Sequence, residues 1–423
     1  MKVRSWVQKY SNPTQKNKLK AIKSDVDAKI IGISGTVGKT SVAELTYQYL
    51  LYCGFRVAMV GTSGIYKVKK DDKVVSWPCT AMPNKELLCD FLIECLLDEA
   101  QYIVLETTAE STAMRVYENL DFEVVGITPF LRNIVRSFSN DDEYFRHKIS
   151  LFNDNNIKFV SISQNSFKIY YKYLDHSKKE VEDRPLYLYD KNEIVYYTNK
   201  FGYLTLVIGN ETFTTSLLSS VNVDNILCFF GIMQGLKLFD PFRIKVFLNQ
   251  VTIPGRLESF MLLGRYIVID TGYNGVDGVY PYFMESSFPN TYIVLSTYFF
   301  DSDKDSEPLT KLYRQNKALF FSRYADGKLI LSATCATKEK RNIPDEELAL
   351  KQMAEVLVPN TYEIYKNRIA ALDAVWKMSK PGDRIFITGM GTENYAAFEE
   401  NGEKHFAGDK EIIQYVVHSN EIR

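Results

Sequence analysis

The sequence predicts an α/β protein: a P-loop parallel-sheet central domain with antiparallel hairpins, followed by a smaller Rossmann-like α/β domain. Three observations predict it. Short apolar runs alternate with helix-like runs over residues 29–128. A stretch rich in Tyr, Val, Ile and Thr follows, from Lys158 to Thr215. Beyond Ile253-Pro254-Gly255 the α/β alternation resumes. Alternating strands and helices imply a mostly parallel sheet joined by right-handed crossovers.

In order, Ala28 to Ser34 is a short apolar strand, and Ser41 to Cys53 carries Val42, Leu45, Tyr49 and Leu50 at helical spacing. Arg56 to Val60 is a second strand. Lys85 to Leu97 presents Leu87, Leu88, Phe91, Leu92, Cys95 and Leu96 on one broad helical face. Tyr102 to Leu105 is a buried strand ending in Glu106, and Val124 to Thr128 is another. Between Lys158 and Thr215, runs such as Ile194–Tyr197 and Tyr203–Ile208 read as antiparallel hairpins. A helix from Asp224 to Leu236 precedes the boundary. After it, Tyr266–Asp270, Tyr292–Leu295, Ala318–Ser322 and Arg384–Thr388 read as strands. Tyr362 to Ser379 reads as a helix stopped by Pro381-Gly382. The expected division is a short N-terminal remnant at 1–28, a central P-loop domain at 29–253 and a C-terminal domain at 254–423.

Composition narrows the function classes. The formal net charge is −1 and charged residues make up 24% of the chain, so no basic field calls for nucleic acid and no patch calls for a membrane. No apolar run reaches the length of a membrane span. The polar, basic segment Met1–Lys20 lacks the apolar core of a secretory signal. Six cysteines are scattered without a Cys-x-x-Cys pair, which fits a reducing cytoplasm and argues against a zinc site.

The run Gly32-Ile33-Ser34-Gly35-Thr36-Val37-Gly38-Lys39-Thr40-Ser41 joins a strand to a helix. Backbone N–H groups of such a turn, with the helix N-terminus, make an anion site. Lys39 would reach the β- and γ-phosphates of ATP, and the Thr40 hydroxyl would ligate Mg²⁺. Strict Walker spacing puts a glycine five residues before Gly38, where this chain has Ile33. Glu106, a carboxylate ending an apolar strand, is costly unless paired or bound to metal.

This spacing resembles the phosphate loop of the Mur ligase family, Gly-Thr-x-Gly-Lys-Thr, and further matches to its MurE-like branch follow in order. Gly61-Thr62-Ser63-Gly64 is similar to the family's Gly-Thr-x-Gly strand end. Leu105-Glu106-Thr107-Thr108-Ala109-Glu110 is similar to the strand whose glutamate ligates magnesium. Tyr144-Phe145-Arg146-His147-Lys148-Ile149-Ser150-Leu151-Phe152 resembles the segment whose lysine is carbamylated. Asn222-Val223-Asp224-Asn225 resembles the helix opening before the linker, and Pro254-Gly255-Arg256-Leu257-Glu258 the start of the C-terminal domain. Ile269-Asp270 and Gly389-Met390-Gly391-Thr392-Glu393-Asn394-Tyr395 resemble two C-terminal motifs.

The resemblance implies an ATP-dependent ligase that joins a carboxylate to an amine through an acyl phosphate. Its nucleotide contacts would be Gly35, Thr36, Gly38, Lys39, Thr40, Ser41, Asn225, Arg256 and Asp270. Thr40, Glu106 and carbamylated Lys148 would hold Mg²⁺, and Lys39, Lys148 and Arg256 would carry the catalysis. Partners would be a small-molecule or peptide carboxylate and an amine; an oligomer or partner subunit stays open.

Four departures bear on the substrate. The phosphate loop begins near the N-terminus, where family members carry a whole UDP-binding domain, so a substrate lacking UDP is expected. Pro129–Arg136 replaces a family segment that holds a histidine and carboxylates. Cys335–Asn342 stands where some members have Asp-Asn-Pro-Arg, which implies a different amine. Tyr273 lies where the family places a histidine, after an apparent insertion. A degenerate homologue that binds nucleotide as a scaffold is the alternative, and a ligase acting on a small acid, as folylpolyglutamate synthetases do, is a third reading. No Asn-Lys-x-Asp guanine motif supports a GTPase.

Overall fold

The computed structural model describes residues 3–22, 28–68, 70–74, 82, 84–131, 138–179, 183–272, 276–296, 308–333, 343–392, 395–399 and 402–421. Two compact units divide the chain. The first comprises 1–196, 205–215 and 222–251, and the second 197–204, 216–221 and 252–423.

The first unit is built on an eight-stranded sheet. Its strands are β1 (Lys29–Ser34), β2 (Val57–Gly61), β3 (Gly64–Lys67), β4 (Lys70–Val74), β5 (Tyr102–Glu106), β6 (Val124–Ile127), β7 (Val160–Ser163) and β8 (Leu186–Tyr189). They lie in the order β8-β7-β6-β1-β5-β2-β3-β4. Pairing is parallel from β8 through β2, and β3 and β4 add an antiparallel edge. From Ile30 onward β1 is buried between β5 and β6, as the mostly apolar central strand of a covered parallel sheet should be.

One sequence expectation changes here. Residues 160–163 and 186–189 do not form hairpins; they extend the parallel sheet, with helix Gln164–Tyr173 as the crossover. The Ser163 side chain accepts from the Ser166 backbone N–H and starts that helix, a cap hidden by the surrounding tyrosines. The strand signal survives further on, at β9 (Val195–Thr198), β10 (Tyr203–Ile208) and β11 (Glu211–Leu218), which form a three-stranded sheet in that order.

The N-terminal residues are part of the first unit. Helix Val3–Tyr10 buries Trp6 and Val7 in its core, and the Trp6 indole N–H donates to the Glu118 carbonyl at 3.0 Å. Helix Pro13–Lys20 opens with Pro13 after an Asn12/Gln15 capping box.

The second unit holds a six-stranded sheet of β12 (Glu258–Leu262), β13 (Arg265–Asp270), β14 (Thr291–Ser296), β15 (Lys328–Ser332), β16 (Tyr362–Tyr365) and β17 (Arg384–Thr388). The order is β12-β13-β17-β14-β15-β16, parallel throughout except for β12. Successive side chains alternate between two cores. Val268, Ile293, Leu295, Leu331 and Phe386 face helices Tyr280–Glu285, Pro308–Ser322 and Ile343–Ala354. Ile267, Ile269, Val294, Ile330 and Ile387 face helices Arg368–Met378 and Asp409–Glu421.

Two expectations are corrected in this unit. Ala318–Ser322 is the last turn of helix Pro308–Ser322, because its buried positions Arg314, Lys317, Ala318 and Phe321 recur at helical spacing. Tyr362–Tyr365 is the edge strand β16, and the helix begins only at Arg368, where the Asn367 side chain caps two backbone N–H groups.

Arg368 and Asp409 form a fully buried pair in this unit, with bonds of 2.8 and 2.9 Å. Arg368 also donates to the Ser296 hydroxyl and, at 3.3 Å, to the Thr388 carbonyl. Asp409 accepts from the Gly391 N–H at 2.8 Å. The pair therefore ties the loop after β17 to two helix N-termini. Asp409→Asn leaves the guanidinium buried without its counter-charge, a change that costs roughly 3–5 kcal/mol. Thermal melts should show a drop on the order of 10 °C.

Candidate functional site

Parallel strands deliver their C-terminal ends to one edge of a sheet, where ligands of such folds bind. In the first unit, register places Ile33 beside Glu106 and Ser34 beside Ile127. The phosphate loop, the Glu106–Thr108 turn and Thr128 thus emerge side by side. β2 pairs with β5 on the far side, so Thr62 leaves the sheet next to Glu106.

The loop needs its glycines. Gly35 has φ +124°, and a Cβ there would lie 2.6 Å from the Thr128 carbonyl oxygen. Gly38 has φ +85°, and its Cβ would strike the Asn225 side-chain oxygen. Gly38 is the N-cap of helix Lys39–Tyr52, and its own side offers no capping group. Asn225 lies in the first turn of helix Val223–Gly235 and donates to Asn222 Oδ1 at 2.9 Å, so this pair of asparagines buttresses the phosphate loop. Gly35→Ala carries a strain of about 1–3 kcal/mol in this loop. Its affinity for a fluorescent ADP analogue should fall by about tenfold or more.

Thr36 fixes the other side of the loop. Its N–H donates to the Pro129 carbonyl at 3.1 Å, and its hydroxyl lies 3.1 Å from the Tyr144 hydroxyl. Lys39 Nζ donates to the Thr36 carbonyl at 2.9 Å. Ser41 is buried one residue beyond Thr40 in the first helical turn.

Glu106 is buried, and its carboxylate is the hub of the site. The Thr40 hydroxyl lies 3.3 Å from both of its oxygens. The Thr62 N–H donates to it at 2.8 Å and the Thr62 hydroxyl at 3.0 Å. Lys148 comes from helix Asp141–Asn153, is 2% exposed, and reaches the Thr107 carbonyl at 3.5 Å. Burial holds the Lys148 amine well below the usual lysine range, the Lys39 charge adds to this, and Glu110 and Glu106 oppose it.

Mg²⁺ takes oxygen ligands and keeps several for water and phosphate. Thr40 and Glu106 supply two such oxygens side by side. Lys148 as an ammonium does not fit that donor set; as a carbamate it does. Among the described residues, no cluster of three His, Cys, Asp or Glu side chains offers another metal site.

Arg256 and Asp270 are neighbours in the second unit. The Arg256 guanidinium donates to the Thr271 hydroxyl. Asp270 accepts from the Gly272 N–H at 2.7 Å and the Leu257 N–H at 3.2 Å. Burial pushes the Asp270 carboxyl up, while Arg256 and these N–H groups pull it down.

Thr62 and Tyr144 lie within the Gly61–Gly64 and Tyr144–Phe152 motifs, but the sequence alone assigns neither a role; the signal for Thr62 is its place directly after a strand end. Arg132–Arg136, Tyr273, Glu393, Asn394 and Cys335–Asn342 lie outside the described residues.

A phosphate-binding turn on a parallel sheet, beside a buried threonine–glutamate pair, defines a P-loop nucleotide-binding protein. Residues 33–233 match the Mur ligase middle domain, and the chain is a homologue of the Mur ligases, MurE-like in its sequence. It is 22% identical to the UDP-N-acetylmuramoyl-L-alanyl-D-glutamate--2,6-diaminopimelate ligase of Bacteroides fragilis, over 96% of this chain and 79% of that protein. It is 23% identical to UDP-N-acetylmuramyl-tripeptide synthetase 2 of Oceanobacillus iheyensis, over 89% of this chain and 75% of that protein. Among solved structures, folylpolyglutamate synthase of Mycobacterium tuberculosis in complex with ADP and AMPPCP superposes with a TM-score of 0.63. That match has 14% identity and covers 90% of this chain and 92% of the other. A diaminopimelate ligase structure gives a TM-score of 0.60 at 18% identity, covering 93% and 79%. No described helix is long and apolar enough to cross a membrane.

Proposed function

We propose that the chain is an ATP-dependent ligase that joins a carboxylate to an amine in an amide bond. The observation that carries this is the Thr40–Glu106–Lys148 cluster at the mouth of the phosphate loop. The relatives named above are ligases by name, and one fold neighbour was solved with ADP and AMPPCP.

A carboxylate oxygen attacks the γ-phosphorus of ATP, the bond to the bridging oxygen breaks, and ADP leaves. The amine nitrogen then attacks the acyl carbon of the acyl phosphate, phosphate departs with the C–O bond, and the nitrogen loses its proton. The protein's part is positioning and charge neutralisation. Gly35, Thr36, Gly38 and Ser41 shape the anion-binding turn. Lys39 exchanges its bond to the Thr36 carbonyl for the phosphates. Thr40, Glu106 and carbamylated Lys148 are the residues that would hold Mg²⁺, which neutralises phosphate charge when bound. Asn225 backs the loop, and Arg256 and Asp270 are the proposed nucleotide contacts of the second unit.

The test is phosphate release from ATP by the purified full chain, across a panel of carboxylic acids and amino acids. Release that needs both an acid and an amine supports the ligase. Nucleotide binding with no turnover across the panel sinks it and favours the scaffold reading.

A further inference from the structure

The turn that opens the second unit is held from the far end of the chain. Residues 255–257 lead into β12 through a sharp bend. Gly255 has φ +63°, and a Cβ there would lie 2.9 Å from Thr271 Cγ2 and 3.0 Å from Thr392 Cγ2. Leu257 also has a left-handed backbone, with φ +48°. A bulky side chain rarely adopts that region, and such a residue persists only where its surroundings over-determine it. Here the Leu257 N–H donates to Asp270 Oδ2 at 3.2 Å, and the Thr271 N–H to the Gly255 carbonyl at 2.9 Å. The Gly255 N–H donates to Glu258 Oε2 at 3.0 Å. Arg256 lies between the two left-handed residues, and its guanidinium donates to the Thr271 hydroxyl. The direction of Arg256 is therefore set by the turn.

Glu258 is buried and uses its carboxylate on both sides. While Oε2 holds the turn, Oε1 accepts from Lys410 Nζ at 2.6 Å, across 152 positions of sequence. Lys410 is the second residue of helix Asp409–Glu421. That helix start is a fixed point. Asp409 pairs with Arg368, accepts from the Gly391 N–H and donates its own N–H to the Gly391 carbonyl. At Gly408, with φ +132°, a Cβ would lie 2.3 Å from the Gly391 carbonyl oxygen, so the chain passes with no slack. The Lys410 side chain is about half exposed, and an ion pair with such a partner contributes little to stability. Its effect is on geometry: it keeps the Glu258 carboxylate turned so that the other oxygen meets Gly255.

We propose that Glu258 and Lys410 are positioning residues, which set the direction of Arg256 by clamping the 255–257 turn to the start of the last helix. This role rests on the reading of Arg256 as a nucleotide contact.

The experiment is a double-mutant cycle on the full chain, read by binding of a fluorescent ADP analogue. Phosphate release from ATP is scored in parallel, so failure of the ligase reading is seen separately from loss of binding. Arg256→Ala is expected to weaken binding by about tenfold. Lys410→Met and Glu258→Gln are each expected to weaken it severalfold, with Lys410→Arg retaining it and with melting temperatures close to wild type. In the Arg256→Ala background, Lys410→Met should have no further effect, because a residue that acts through Arg256 then has nothing left to position. If Glu258→Gln does not fold, Lys410→Met, a change at a half-exposed side chain, carries the comparison. Binding unchanged in Lys410→Met but weakened in Arg256→Ala overturns the clamp and leaves the Arg256 reading standing. An equal loss from Lys410→Met in both backgrounds does the same. Arg256→Ala that binds as wild type does, or a wild type that does not bind the analogue, overturns the Arg256 reading and the clamp with it.

Discussion

Lys39→Met is expected to lower ATP-dependent phosphate release by about 10²–10³-fold, the range seen when one preorganised charge-stabilising donor is lost. The ammonium sits at the first residue of helix Lys39–Tyr52 and is held to the Thr36 carbonyl. That bond keeps Nζ over the turn, where an incoming phosphate would exchange with the backbone acceptor. Methionine keeps most of the side-chain length and removes the charge. Lys39 is only partly buried, so the melting temperature should stay within a few degrees of wild type. Single-turnover phosphate release at saturating nucleotide is the measurement. A rate within a few-fold of wild type would show that Lys39 does not meet the transferred phosphoryl group.

Lys148→Ala should separate activity from stability in the opposite sense to most core substitutions. A buried amine with its pKa held well below the usual range spends more time neutral, and only the neutral amine reacts with CO₂ to give a carbamate. Removing it should lower turnover on the order of 10²-fold, as loss of a metal-holding anion would. Removing an amine that is costly to bury should offset part of the cost of the cavity left behind, so stability should change little. Bicarbonate gives a second readout. Wild-type activity should fall in CO₂-stripped buffer and return when bicarbonate is added, while the alanine variant responds to neither. A wild-type rate indifferent to CO₂ would mean that Lys148 acts as an amine or is merely buried.

Where an element is marked by its own residues, it could be read directly. β1, the glycine turn and the helix after it form one local unit, and Lys39 and Thr40 fall at that helix's start. Glu106 stood out because an apolar strand rarely ends in a buried carboxylate. Local pattern misleads where tertiary context decides. The aromatic run 166–173 has strand-like composition but follows a serine cap, and Ala318–Ser322 is apolar on a helix whose other face meets solvent. The partners of the site residues were harder to see. Thr62 reaches Glu106 only because β2 and β5 are neighbours, and Arg368 meets Asp409 only because two helices start at one sheet edge. Such pairings come from strand order, which no local pattern encodes.

The central place of β1 has a further consequence for how the first unit becomes competent. Its partners arrive late in the chain: β5 pairs at Ile33–Glu106 and β6 at Ser34–Ile127, and Lys148 and Asn225 come later still. Each of these pairings closes a long loop before it is rewarded, which is slow compared with local helix formation. During synthesis, the glycine turn therefore leaves the ribosome well before the residues that hold it in shape. Nucleotide affinity becomes a property of the finished sheet, and ATP can stabilise only those molecules that have already completed it.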